Sequence, residues 1–441
     1  MILRSSRVVL PDGVRPAAIH IENGTIVGID RSAAAFAPSA SAPKEASPLI
    51  ISPGIVDTHV HVNEPGRTDW EGFDTATRAA AAGGVTTIVD MPLNSIPATT
   101  AVAALEAKRT AARGRVHVDV AFWGGVVPGN AGELDALVDA GVRGFKCFLV
   151  PSGVDEFAHV GEADLRDAMP ILARRNVPLL VHAEHPTYLT HPPSPPRGFG
   201  GTSPNYEAWL ASRSPRAEAE AIRLVARLAR EFGTHVHIVH VASAEAADEV
   251  AHAKAEGVHI TAETCPHYLT FAADEIPDGA TEFKCAPPIR DARHRDALWR
   301  ALERGTLDLI ATDHSPSPPS MKIPGDFTRS WGGIASLELS LAAVASRQSS
   351  VVSIARWMSE APAKLAALDR KGRIAEGYDA DLVIWDPDAE WTVDAARLQQ
   401  RHKLTPYAGR TLRGRVHSTF VRGIEVWNGD RLSTAAAGTL R

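Results

Sequence analysis

From Gly54 onward the chain alternates short apolar runs with alanine-rich segments, and this alternation restricts the fold more than any other feature. Apolar runs of strand length, each separated from the next by enough chain for a helix, specify parallel βα units. Eight such runs can be counted, over residues 55–61, 85–91, 116–122, 144–149, 178–182, 235–241, 259–264 and 307–312. Helical spacing falls between them, for example over 74–82, 216–232 and 291–304. Eight units close a TIM-type (β/α)8 barrel, an α/β fold. An open doubly wound sheet is the alternative, but the first βα turn lacks the Gly-x-Gly-x-x-Gly run of a dinucleotide site.

Both flanks of the alternation read as β structure. Short runs at 8–10, 17–21 and 25–27 are punctuated by Pro11-Asp12-Gly13 and Asn23-Gly24, and strand patterns return after Gly372 at 380–385 and 418–421. The expected division is therefore a barrel over 53–373 and one small β-sandwich domain built from both termini, 1–52 and 374–441. Residues 32–48 are an Ala/Ser/Pro stretch that buries too little surface to order itself, which predicts a mobile surface loop. Three Pro- or Gly-rich loops, 151–153, 191–204 and 315–333, follow strand ends and have the makings of binding loops or lids.

Composition excludes several function classes. Forty-six basic and 52 acidic residues give a net charge of -6 with no long block of like charge, so no nucleic-acid partner is expected. No run of 18 apolar residues occurs, and Arg4 and Arg7 interrupt the apolar start. Neither a membrane span nor a secretory leader fits, which predicts a cytoplasmic protein. Cys147, Cys265 and Cys285 are odd in number and lack Cys-x-x-Cys spacing, against both a disulfide framework and a thiolate zinc site.

The first apolar run closes on Asp57-Thr58-His59-Val60-His61. Residues two apart on a strand share a face, and barrels of this type place their chemistry at the carboxyl ends of the strands. With 18 histidines in the chain, a His-x-His pair arises about once by chance, so the pair carries little weight alone. Its weight comes from company: Lys146 in the fourth run, His182 ending the fifth, His240 near the end of the sixth and Asp313 after the eighth fall on the same rim. A second pair, His235 and His237, is out of phase with His240 and is expected to face the helices.

Taken singly, His182 or His240 is more often a core histidine than a ligand, and an Asp in the position of Asp313 often caps a helix. Together, four imidazoles and a carboxylate suit zinc or another divalent first-row cation. Five ligands are too many for one catalytic zinc that keeps an open position, and two metals would need a bridging anion. Lys146 sits in the otherwise apolar run Gly144-Phe145-Lys146-Cys147-Phe148-Leu149. Either it reaches solvent, or burial lowers its pKa and leaves a neutral amine able to take up carbon dioxide as a carbamate.

These residues resemble the cyclic amidohydrolases, metal-dependent amidases that open rings. The runs that carry the resemblance begin at Asp57 and continue to Phe73, then include Asp90-Met91-Pro92-Leu93-Asn94-Ser95, the Lys146 run, Cys285-Ala286-Pro287-Pro288-Ile289-Arg290 and Thr312-Asp313-His314-Ser315-Pro316. Within the family, the Asn63-Glu64-Pro65-Gly66-Arg67 continuation and the run from Arg401 to Arg410 look like the members that open allantoin to allantoate. The resemblance implies two divalent metal ions, zinc in the first place, bridged by an N6-carboxylated Lys146. It implies His59, His61, His182 and His240 as ligands, Asp313 as ligand and proton shuttle, and a homotetramer.

The substrate so implied is a small cyclic ureide, read by Asn63, Asn94 and the backbone at Cys285 and Ser315; for each of these the alternative role is loop structure. Dihydroorotases carry an arginine where this chain has Asn63, and an amide supplies no charge for a substrate carboxylate. Hydantoinases and dihydropyrimidinases share the metal residues and form the main alternative. A non-enzymatic scaffold relative would be expected to have lost ligands, and all six are present. Ala367, where relatives usually carry glycine, departs from the family pattern without touching a ligand.

Overall fold

Each of the eight apolar runs contains a parallel strand. In the computed structural model, which describes residues 1–32, 44–45, 48–190, 205–433 and 436–441, these are β1 (Ile55–Val60), β2 (Val85–Asp90), β3 (Asp119–Phe122), β4 (Phe145–Phe148), β5 (Leu179–His182), β6 (Val236–Ile238), β7 (Ile260–Thr264) and β8 (Leu309–Ile310). Pairing runs β1–β2–β3, and Gly124–Gly125 just beyond β3 pairs with β4 to continue the order through β8. The ring closes after β8, where His61 N–H donates to the His314 carbonyl at 2.8 Å and His314 N–H donates to that of His59 at 3.2 Å.

Every residue of β1, β2 and β3 is buried. Barrel strands covered on both faces have no polar side to show, which is why these read as continuous apolar runs. Val56, Val89, Ala121, Leu180 and Leu309 fill the interior, and a larger apolar cluster joins strands to the surrounding helices. The helix Pro215–Phe232 shows how local signals set an element: proline opens it after Ser214, and Gly233 stops it in the left-handed conformation at φ 70°. Between those ends Ile222, Val225 and Leu228 are buried, at the spacing of one helical face.

The two termini share one sheet, in the order Ile424–Trp427, Thr411–Val421, Leu382–Thr392, Ile50–Pro53, Ile2–Leu10, Gly13–Glu22 and Thr25–Asp30, with Lys44–Glu45 also paired to Ile2–Leu10. It packs on its own apolar cluster, including Leu3, Ile19, Ile51, Leu382 and Phe420. A buried ionic knot ties this sheet to the barrel. Asp119, at the start of β3, accepts from Lys371 at 2.7 Å, from Arg422, and from Arg441 at 2.8 Å. Burial alone would raise the Asp119 carboxyl, but these three cations hold it well below the usual range.

The proline-rich stretch 191–204 lies outside the described residues, as does most of 32–48. Among the described residues no helix is long and apolar enough to cross a membrane.

Candidate active site

The closure of the barrel assembles the first part of the site. The backbone N–H groups of His59 and Thr312 both donate to one oxygen of buried Asp57, at 3.1 and 3.2 Å, tying the ends of β1 and β8 together. Asp313 is thereby laid between the two histidines. Its Oδ1 lies 3.2 Å from His59 Nε2 and 3.3 Å from His61 Nε2. On the other side of the rim, His182 Nδ1 and His240 Nε2 approach to 3.0 Å, and the rings of His59 and His240 are 5.5 Å apart.

Two of these residues depart from strand geometry. His240 and Asp313 adopt left-handed backbone at φ 44° and 47°, a conformation that costs a side-chain-bearing residue about 1 kcal/mol. The turn it makes ends strand alternation, so side-chain direction at these positions no longer follows parity. This corrects the expectation for His237. Rather than facing the helices, it is wholly buried with Nε2 3.0 Å from Glu263, which also holds His59.

Lys146 on β4 is buried, its Nζ without a hydrogen-bond partner among the described residues and 4.9 Å from the ring centre of Phe148. Phe148 in turn stacks on His182 at 4.6 Å. Two carboxylates that sequence reasoning missed orient the imidazoles. Glu263 accepts from His59 Nδ1 at 2.5 Å, and Glu184 accepts from His182 Nε2 at 2.6 Å. Each fixes a tautomer, leaving His59 Nε2 and His182 Nδ1 bare toward the centre. The signals were present in the sequence: Glu184 follows His182 by two, and Glu263 is the lone charge in its strand Ile260–Thr264.

Burial sets the charge state. It lowers His61 to about 4 and His240 well below the ordinary imidazole value, the latter helped by His182 and Lys146. It lowers the Lys146 amine to about 8. Burial would raise Asp313, but His59 and His61 outweigh it and keep the carboxylate ionised. Imidazole nitrogens turned to one centre, an ionised carboxylate and a buried lysine with a lowered pKa are a donor set suited to divalent cations. His59, His61 and Asp313 bring ligand atoms within 4.8 Å of one another, and His240 Nδ1 is a further buried polar atom without a partner among the described residues. The donor set thus fits a metal centre.

His59, His61, His182, His240 and Asp313 line one cavity of about 570 Å³, with Asn94, Cys285 and Ser315 on its walls. Asn94 Nδ2 lies 3.5 Å from His61 Nδ1. The loops 151–153 and 315–333, expected to be binding loops, contribute Ser152, Ser315 and Trp331. Asn63 does not line the cavity; its amide is buried and donates to the Pro316 carbonyl at 3.4 Å. Trp209 and Arg213, which carried no motif signal, do line it.

Residues 50–191 and 206–426 match the amidohydrolase family. Similar relatives include an allantoinase of Streptomyces avermitilis, 49% identical over 96% of this chain and 94% of its own length. The allantoinase of Saccharomyces cerevisiae is 42% identical over 96% of this chain and 95% of its own. Among solved structures, an L-hydantoinase (dihydropyrimidinase) of Arthrobacter aurescens superposes with a TM-score of 0.92 at 31% identity, covering 100% of this chain and 98% of that one. A barrel of this topology, a rim of this composition and similarity over nearly the whole length agree: the chain belongs to the amidohydrolase family, and within it groups with the allantoinases.

Proposed function

We propose that this chain is a metal-dependent cyclic amidohydrolase that opens allantoin to allantoate. The observation that carries the reading is the convergence of four histidines and Asp313 on one cavity above buried Lys146. Near-full-length similarity to allantoinases of bacteria, yeast and plants selects the ureide. His59, His61, His182, His240 and Asp313, together with a carboxylated Lys146, would hold two divalent ions, zinc in our reading. When bound, such ions polarise a carbonyl and lower the pKa of water.

The chain's own residues supply the rest. Burial lowers Lys146 from 10.5 to about 8, which leaves about a tenth of it neutral at pH 7, the form that adds carbon dioxide. Asp313, held ionised beside His59 and His61, accepts the proton of the attacking water and returns it to the leaving ring nitrogen. Asn94 on the cavity wall offers an amide to a ureide edge. Asn63 would act at one remove, by holding the chain at Pro316. The same reading includes a cytoplasmic homotetramer, and three buried, unpaired cysteines suit a reducing compartment.

Similarity in backbone to a hydantoinase supports a second reading, a hydantoin- or dihydropyrimidine-opening enzyme. Zinc-loaded protein assayed side by side on allantoin, hydantoin, dihydrouracil and dihydroorotate decides between them. The highest kcat/KM is expected on allantoin; a higher value on hydantoin or dihydrouracil would replace the first reading with the second.

A further inference from the structure

The substrate-facing wall and one half of the donor cluster are joined by a continuous chain of polar contacts. Trp209, at the cavity wall, donates its indole N–H to the carbonyl of Cys285 at 3.1 Å. The Arg213 guanidinium lies over its ring at 5.0 Å. Arg213 grips Glu184 with two nitrogens, Nε to Oε1 at 2.9 Å and Nη2 to Oε2 at 2.6 Å. Glu184, wholly buried, spends that same Oε2 on His182 Nε2 at 2.6 Å. His182 then faces His240 with its other nitrogen.

Each contact constrains the next. A bidentate arginine fixes the plane of a carboxylate. The fixed carboxylate orients the imidazole and selects its tautomer, which raises the basicity of the nitrogen on the far side. The aromatic face in turn holds the guanidinium, a contact strengthened by partial burial. None of Trp209, Arg213 or Glu184 belongs to the donor cluster, and a salt bridge made only for stability would not need its aromatic end in the cavity wall.

We propose that Trp209, Arg213 and Glu184 form a positioning relay through which the cavity wall controls metal retention by His182 and His240. The inference rests on the metal-dependent reading above and deepens it. By linkage, a ligand whose contact with the wall tightens metal binding must itself bind more tightly, by the same factor, when metal is present.

The test titrates zinc into chelator-stripped full-length protein, reading zinc per chain and, by competition with a chromophoric chelator, the dissociation constant of the weaker-bound ion. Wild type is expected to take two zinc ions. Glu184→Gln and Arg213→Lys should weaken the weaker ion by about 10–100-fold, the usual effect of disturbing such outer partners. Trp209→Ala should do so too although it is three contacts from any zinc ligand, whereas Trp209→Phe, which keeps an aromatic face, should recover most of the affinity. Circular dichroism confirms that each variant is folded, and the conservative pair Arg213→Lys and Trp209→Phe retains the test if the others are not. Two zinc ions of wild-type affinity in every folded variant would overturn the relay and leave the metal reading standing. Wild type that binds no zinc would overturn both.

Discussion

Asp313→Asn isolates the proton-carrying step from the rest of the site. The substitution keeps the volume of the side chain, and removes one charge and its capacity to accept a proton. Positioned acid–base groups contribute about 10²–10⁴ in rate, so turnover of allantoin should fall by that factor, roughly 3–5 kcal/mol of barrier. Oδ1 lies within 3.3 Å of both His59 Nε2 and His61 Nε2, and an amide oxygen can occupy the same position. Zinc content should therefore survive, with kcat and kcat/KM falling together. The structure also fixes the sign of an accompanying stability effect. Asp313 in the folded chain is held below its ordinary value of 3.8, so its carboxylate adds stability above that pH. The contribution is lost on further acidification, because the unfolded chain takes up the proton first. In chelator-stripped protein, the unfolding midpoints of wild type and variant should converge as pH falls below about 4. Steady-state assays on allantoin, zinc analysis and urea unfolding measure all three. Turnover within tenfold of wild type in a variant with full zinc would remove Asp313 from the proton-carrying role.

Lys146→Ala should abolish turnover, and a short carboxylic acid such as propionate should restore part of it in the same protein; a folded, inactive variant that no small acid rescues would count against the carbamate. Glu263→Gln weakens two charge-assisted hydrogen bonds, to His59 and His237, and should lower stability at neutral pH by about 2–3 kcal/mol. Burial opposes the charge, but His59 and His237 pull Glu263 down from 4.5 to about 2, so the difference from wild type should shrink as pH drops from about 4.5 toward 2 in urea titrations. Gly333→Ala should raise KM more than it lowers kcat, since Gly333 sits at φ 126° and a Cβ there would run into the Ser315 carbonyl at the cavity wall. Asn94→Ala should raise KM for allantoin by about tenfold, the value of one polar contact, and Asn63→Ala by less, because only Asn94 lines the cavity.

The residues gathered on the rim were legible because strand parity and strand ends are local properties. His59 and His61 announce a shared face, and Lys146 interrupts an apolar run where a charge has no local reason to be. The parity argument failed where the backbone left the strand. His235 and His237 were given the opposite direction to His240 because they are out of phase with it, yet the left-handed φ of His240 ends the alternation, and His237 turned out to support His59 through Glu263. Asn63 was read with Asn94, Cys285 and Ser315 as a group facing the ring; it too adopts left-handed backbone, at φ 66°, and its Nδ2 donates to Pro316.

By itself the sequence determined the eight βα units, the shared sheet of the two termini and the polar residues on one rim. These follow from hydrophobic period, turn chemistry and the position of polar residues at strand ends, all set within a few residues along the chain. Only the tertiary structure decided which carboxylate serves which histidine. Glu263 and His59 are 204 residues apart, and Arg213 reaches Glu184 across 29. Pairings of this kind depend on how the ring closes and where loops return, and they satisfy buried polar groups that no local pattern could have matched. The rim can be read along the chain; what holds it in register exists only across the barrel.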